Sequence, residues 1–286
     1  MNKAVVIGTG LIGGSFMLGL RDLYPNCLLK GMDKNEESAV KAQDLGFIDA
    51  VASKEDLKDA DLVVIAIPVD ATIKVLNEVL DSVSGDALVL DMGSTKEMIC
   101  NSISSHPKRR QFMAAHPIAG TEFSGPEAAV NGLLKNKTMI VCEVDKTAGH
   151  LQERAKQLFN SLEMSVRYMT AAAHDKHIAY VSHLSHISSF MLGKTVIEEE
   201  KNERDIFDLA GSGFESTVRL AKSSPAMWAP IFAQNKNNVL ASLDEYIENL
   251  SRFRESVKNN DQEGIFNDLE QTNRIKTILK GINNGK

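Results

Sequence analysis

The sequence predicts an α/β protein, with a doubly wound parallel sheet over residues 1–170 and an all-helical domain over 171–286. Three observations carry that prediction. Short apolar runs alternate with amphipathic stretches up to Thr170. Several of the runs are continuous in β-branched or aliphatic residues, as strands buried on both faces require. Beyond Thr170 no convincing strand recurs, and apolar residues fall at helical spacing instead.

Strands are expected at residues 4–7, Leu28–Met32, 62–67, 87–91, 112–115, Thr138–Cys142 and 166–169. Helical patterns lie between them, at 36–45, 71–81 and 147–162 among others. Strand, helix, strand in alternation is the pattern of crossover units feeding one parallel sheet. In the second domain, 171–200 reads as one long helix closed by a polar break at 201–204. Further helices are expected around 205–210, 217–222, 226–258 and 262–282. Within them Leu240, Leu243, Ile247, Leu250 and Phe253 repeat at helical spacing. A chain of 286 residues is long enough for two domains.

Composition narrows the class. The 43% hydrophobic and 24% charged content is that of a globular protein, and a net charge of -6 points away from nucleic acid and membrane surfaces. An anionic substrate would therefore need a local basic group. Cys27, Cys100 and Cys142 are scattered and odd in number, which reads as buried, reduced thiols of a cytoplasmic protein. The apolar run after Lys3 imitates a signal peptide, but glycines interrupt it and Arg21-Asp22 closes it without a cleavage-type site.

The segment Val5-Val6-Ile7-Gly8-Thr9-Gly10-Leu11-Ile12-Gly13 follows a strand and opens a helix. Gly8 permits a tight turn, Gly10 lets backbone approach a pyrophosphate, and Gly13 lets helix pack on strand. The helix N-terminus, at Leu11 and Ile12, then faces the phosphates. Asp33 ends the second strand twenty positions after Gly13, where a carboxylate accepts both ribose hydroxyls and repels a 2′-phosphate. Its alternative is a solvated strand-end carboxylate. A Rossmann-type domain binding NAD follows; Lys34 keeps NADP open. Pro68, after the 62–67 strand, and Asp91-Met92-Gly93-Ser94 should line the same crevice.

The strand at 112–115 runs into His116-Pro117-Ile118-Ala119-Gly120-Thr121-Glu122. A histidine at the mouth of a dinucleotide crevice can manage the proton that accompanies hydride transfer. Ser94, at the preceding strand end, could orient it. The competing reading is a structural strand-end histidine. The helix at 171–200 carries His174, His177, His183 and His186; at 100° per residue the first pair faces roughly opposite the second, so one helix cannot gather all four round a metal. Satisfied histidines in a helix interface remain the alternative. Arg219, between Val218 and Leu220, sits in apolar company and could clamp a carboxylate. Trp228, the one tryptophan, starts a helix after Pro225 and reads either as a pocket wall or as core.

These segments together resemble the prephenate dehydrogenase family, the prephenate and arogenate dehydrogenases of tyrosine biosynthesis. The resemblance rests on Val6 to Ser15, Asp91-Met92-Gly93-Ser94-Thr95-Lys96, His116 to Glu122, His174-Asp175, Ser182-His183-Leu184-Ser185-His186, and Gly213-Phe214 through Trp228. It implies NAD-dependent oxidative decarboxylation of prephenate to 4-hydroxyphenylpyruvate. His116 would take the proton of the substrate 4-hydroxyl, with Ser94 orienting it. Arg219 would bind a substrate carboxylate, His186, Thr121 and Trp228 would line the pocket, and Glu122 would help gate it. The helical domain would complete the substrate site and form a homodimer. Three departures stand out: Ser216 and Ser224 replace acids common in the family, and Ser185 replaces a proline. Fewer acids near Arg219 leave that arginine less neutralised. No length is expected for a fused mutase or regulatory domain.

Arogenate dehydrogenase is the nearest alternative. A β-hydroxyacid dehydrogenase or pyrroline-carboxylate reductase shares the architecture but lacks the His116 segment, and the hydroxyacid enzymes use a helix lysine, for which Lys176 and Lys194 are available. A non-catalytic NAD-binding regulator is the reading from a different class.

Overall fold

The computed structural model describes residues 1–284. Its eight strands form one sheet in the order β3-β2-β1-β4-β5-β6-β7-β8. In sequence they are β1 (Lys3–Ile7), β2 (Leu28–Met32), β3 (Ala50–Val51), β4 (Leu62–Ile65), β5 (Leu88–Asp91), β6 (Phe112–Pro117), β7 (Thr138–Cys142) and β8 (Ser165–Met169). All seven expected strands are present. The two-residue β3 is too short to leave a periodic signal. Neighbours pair parallel except β6 and β7, where His116 lies opposite Ile140 in antiparallel register. The chain between those two strands has no α-helix, only a 3₁₀ turn at Pro126–Ala128, and an antiparallel return needs no crossover.

Helices α1 (Leu11–Leu23), α2 (Glu36–Asp44), α3 (Val69–Ser82), α4 (Glu97–Ser102) and α5 (Gly149–Ser161) connect the strands. Alternation along each strand feeds two apolar layers. Met113 and Ala115 of β6 join Phe16 and Met17 of α1 on one face. Phe112 and Ala114 join Leu76 and Val79 of α3 on the other. His116 continues the second series, so its side chain emerges on the α3 face.

Beyond the sheet come α6 (Ala171–Ile178), α7 (Leu184–Glu200), α8 (Ser212–Val218) and α9 (Pro225–Gln234). The helix expected at 171–200 is interrupted: Ala179–His183 is a π turn. The helix expected at 226–258 is likewise two, broken at Asn235. Ala171 of α6 and Trp228 and Ile231 of α9 are part of the α3-face layer. Packing therefore divides the chain at Lys236, into Met1–Lys236 and Asn237–Lys286, later than the change of pattern at Thr170. The second unit holds most of α10 (Lys236–Lys258), with α11 (Gln262–Thr272) and α12 (Ile275–Asn284). Its Leu250, Phe266, Leu269 and Leu279 are each more than half exposed.

No helix among the described residues is long and apolar enough to cross a membrane. Cys27, Cys100 and Cys142 are buried free thiols, as expected. Burial pushes the thiols of Cys100 up to about 11 and of Cys142 up to about 12.

Candidate active site

The sheet order reverses between β1 and β4, and a crevice at the carboxyl ends of those strands is where open α/β sheets take ligands. Gly8 turns there with φ of 98°, and a Cβ on it would stand 2.3 Å from the Ala66 carbonyl oxygen. A Cβ on Gly13 would lie 2.0 Å from the Gly8 carbonyl oxygen, so α1 can reach this close only with glycine. Gly10 caps α1, and a Cβ on it would meet nothing nearer than the Gly125 nitrogen at 4.0 Å. Open space thus lies before a 13-residue helix whose first N–H groups belong to Leu11 and Ile12.

Asp33 stands one residue beyond β2. Its Oδ2 accepts the Thr9 N–H at 2.9 Å and the Thr9 hydroxyl at 3.2 Å, and its Oδ1 accepts the Asn35 N–H at 3.0 Å. The carboxylate is thereby fixed to the glycine turn while half-exposed. Pro68 is exposed at the start of α3, three residues past β4. Cradle, helix end and carboxylate fit the pyrophosphate and ribose of a dinucleotide.

At the far end of the crevice His116 is 9% exposed. Its Nδ1 lies 2.9 Å from Nε2 of His174, and His174 Nδ1 lies 2.7 Å from Oδ1 of Asp175. Asp175 also accepts the N–H groups of Lys96 at 2.8 Å and Glu97 at 2.9 Å. Beneath them Lys96, fully buried, bonds the buried Asp91 carboxylate and, at 2.8 Å, the Ala115 carbonyl oxygen. Burial first, then the neighbouring His174 and the Lys96 ammonium, hold His116 well below the ordinary imidazole value. Burial raises the Asp91 carboxyl, against the pull of the Lys96 ammonium. The result is an uncharged imidazole able to accept a proton.

His183 is buried, with Asn235 3.2 Å from its Nδ1; the Asn235 amide also donates to the Asp175 carbonyl oxygen at 2.7 Å. Burial lowers His183 to about 4. His186 stacks on Trp228 with ring centroids 3.6 Å apart, and its Nδ1 lies 2.9 Å from the Ser182 carbonyl oxygen. Burial lowers its pKa too. Among the described residues the Trp228 indole N–H and Nε2 of His183 are buried without a partner. Arg219 is half-exposed and donates to Glu122 Oε2 at 2.8 Å. The Glu122 carboxyl is held below its ordinary value by its own backbone N–H first, then by Arg219. Thr121 is exposed, and its hydroxyl accepts the Phe123 N–H at 3.3 Å.

Several placements differ from expectation. Ser94 is half-buried and makes no hydrogen bond to His116; it is His174 that meets the His116 Nδ1. Arg219 is not enclosed by its apolar neighbours but reaches Glu122 across the fold. His174 and His183 do not face apart. Both are buried and act electrostatically on His116, while His177 is exposed. The π turn absorbs about one residue, so nine residues of sequence turn the helix by roughly 80° rather than about 180°. Asp91 was expected in the crevice wall but its ion pair with Lys96 was not, and Asn235 was missed. The strand-end position of Asp91 was the available signal for that ion pair.

Comparison with known proteins follows the same outline. Residues 16–168 match the family model for the prephenate dehydrogenase nucleotide-binding domain, and residues 170–271 match that for the prephenate dehydrogenase dimerization domain. Prephenate dehydrogenase of Bacillus subtilis is 33% identical over 270 residues, covering 92% of this chain and 72% of its own. Cyclohexadienyl dehydrogenase of Zymomonas mobilis is 26% identical over 278 residues, covering 96% and 95%. The crystal structure of prephenate dehydrogenase from Aquifex aeolicus, in complex with hydroxyphenyl propionate and NAD+, matches with a TM-score of 0.86 and 31% identity over 98% of both chains.

Proposed function

The chain belongs to the prephenate dehydrogenase family, and on that premise we propose that it converts prephenate to 4-hydroxyphenylpyruvate with NAD as oxidant. The observation that carries this reading is the buried, uncharged His116 at the end of β6, its Nδ1 occupied and its other nitrogen left for substrate. Gly8, Gly10 and Gly13 with the N–H groups of Leu11 and Ile12 would hold the pyrophosphate, Asp33 the adenosine ribose, and Pro68 the crevice wall. Bound there, NAD supplies the acceptor for the C4 hydride.

His116 takes the 4-hydroxyl proton as the C4–H bond gives up its hydride. The ring carboxylate then leaves as CO₂ and its electron pair enters the ring, which becomes aromatic. His116 returns the proton to the resulting phenolate oxygen. Arg219 binds a substrate carboxylate by a charge-assisted contact. In the absence of that carboxylate Glu122 occupies the guanidinium, so substrate must displace it, which is the sense in which Glu122 gates the site. His186 and Trp228, stacked, form an apolar wall with Thr121 at the rim, and Ser94 is available to the nicotinamide end. By function we divide the chain at Thr170: residues 1–170 bind the dinucleotide, and 171–286 complete the substrate site and pair with a second copy. The exposed Leu250, Phe266, Leu269 and Leu279 support that pairing.

The test is turnover of purified protein with prephenate or arogenate and NAD or NADP, read as reduced nicotinamide absorbance. Prephenate with NAD should be the productive pair; absence of signal with both substrates sinks the assignment. In His116→Asn turnover should collapse while prephenate binding largely survives. If both fall together, His116 is a positioning group and not the base.

A further inference from the structure

An imidazole is a base through only one of its nitrogens, and the nitrogen is chosen by what holds the other one. Around His116 the choice can be followed bond by bond. Asp175 is 2% exposed, and both its oxygens face backbone donors: Oδ1 the Lys96 N–H at 2.8 Å, Oδ2 the Glu97 N–H at 2.9 Å. The fold thus engages both oxygens as acceptors, and Oδ1 meets His174 as an acceptor too. His174 Nδ1, 2.7 Å from Oδ1, must therefore carry the hydrogen. Burial favours the neutral ring, which leaves His174 Nε2 as a lone pair. That lone pair faces His116 Nδ1 at 2.9 Å, so His116 Nδ1 must donate to it. Only Nε2 of His116 then remains as a lone pair. It makes no hydrogen bond among the described residues.

We propose that His174 and Asp175 are positioning residues which fix His116 in the tautomer that presents its Nε2 as the proton acceptor. The chain runs carboxylate, imidazole, imidazole, and begins on backbone N–H groups that cannot change their polarity. Its direction is therefore set by the fold. The proposal rests on the reading of His116 as the base, and it displaces Ser94 from the orienting role. The other charged or titratable groups against the pair are Asp91 at the end of β5, Lys96 at the start of α4, and His183 of the π turn. None of them bonds a ring nitrogen of His116, so none can set its tautomer.

The test uses the full chain labelled with ¹⁵N at histidine and two substitutions at one position. In the wild type, long-range ¹H–¹⁵N spectra should give His116 as the Nδ1–H tautomer at neutral pH. In His174→Phe, which keeps an aromatic ring but has no acceptor, the His116 signal should move toward the Nε2–H form. In the same variant kcat should fall by about 10²–10⁴-fold, the range that a correctly protonated general base contributes. KM for substrate and the Kd for NAD should change far less. His174→Gln, whose amide can donate to Asp175 and accept from His116, should recover much of the loss. The proposal is overturned if wild-type His116 is the Nε2–H tautomer, a measurement that needs no variant to fold. It is equally overturned if folded His174→Phe keeps both tautomer and kcat, or if His174→Gln is no better than His174→Phe. The tautomer is read without substrate, so it separates this proposal from the identity of the reaction, which His116→Asn tests.

Discussion

Acid should destabilise the sheet-bearing unit through His183 before most carboxylates titrate. His183 is buried at the end of the π turn against α9, with ring centroids 5.9 Å from Trp228 and 6.2 Å from Phe232, and burial lowers its pKa from 6.5 to about 4. Asp175 opposes that shift, and the charges of His174 and His186 add to it. In the unfolded chain the same ring titrates at its ordinary value, so the unfolded state takes up the proton first as pH falls. The penalty is nil above pH 6.5 and grows progressively as pH falls from 6.5 to 4. At pH 4.5 the ratio of the two protonation factors is about 80, which costs about 2.5 kcal/mol. A substantial part of the stability of an ordinary domain is at stake. Urea unfolding at pH 7 and pH 4.5, followed by fluorescence of the single Trp228 beside the ring, measures the loss in wild type and in His183→Gln. The glutamine keeps a polar group for Asn235 but does not titrate. It should be somewhat less stable at pH 7, yet lose about 2.5 kcal/mol less than wild type on acidification. Equal losses in the two proteins would refute the assignment of this shift to His183.

Two substitutions probe the ends of the crevice. Arg219→Ala should raise KM for prephenate and lower kcat/KM by about 10- to 150-fold, the equivalent of one charge-assisted contact of roughly 1.5–3 kcal/mol; steady-state kinetics with unchanged KM would remove Arg219 from substrate binding. Asp33→Asn removes the charge that repels a 2′-phosphate and leaves Lys34 beside the ribose, so the ratio of kcat/KM for NADP over NAD should rise about tenfold or more. An unchanged ratio would mean that some other group selects the cofactor.

What was legible in the sequence followed local rules. The glycine turn, Asp33 and the β-branched runs of β1, β4 and β5 each express a constraint spanning a few residues, and each appears where expected. The site’s internal wiring does not. Nothing within α6 announces a π turn at Ala179–His183, and without it a 3.6-residue period puts His174 and His183 on opposite sides. Lys96 looks in sequence like a solvated lysine; it is buried because Asp91, five residues earlier on a strand end, and the Ala115 carbonyl oxygen neutralise and bond it. Arg219 was recognised from its apolar neighbours, but its partner Glu122 stands 97 residues away, and no local pattern encodes that distance. Ser94 was assigned to His116 because both end adjacent strands. Tertiary packing of α6 gave that position to His174 instead.

A base held this far below neutrality raises a difficulty that the substrate can resolve. A low pKa keeps His116 unprotonated and ready, but it also makes the ring a weak acceptor. Burial and the Lys96 charge both disfavour imidazolium. Prephenate brings two carboxylates, and negative charge beside the ring favours its protonated form. His116 should therefore titrate higher in the enzyme–substrate complex than in the free enzyme. Since kcat/KM reports the free enzyme and kcat the complex, the acidic limb of the kcat profile should fall at higher pH than that of kcat/KM. Both profiles follow from initial rates with NAD saturating between pH 4.5 and 8. The free-enzyme limb should lie below 6.5, as the lowered pKa of His116 requires. Limbs that coincide, or a kcat limb at lower pH, would mean that substrate charge does not reach His116, and that Arg219 and Lys96 neutralise it before it can strengthen the base.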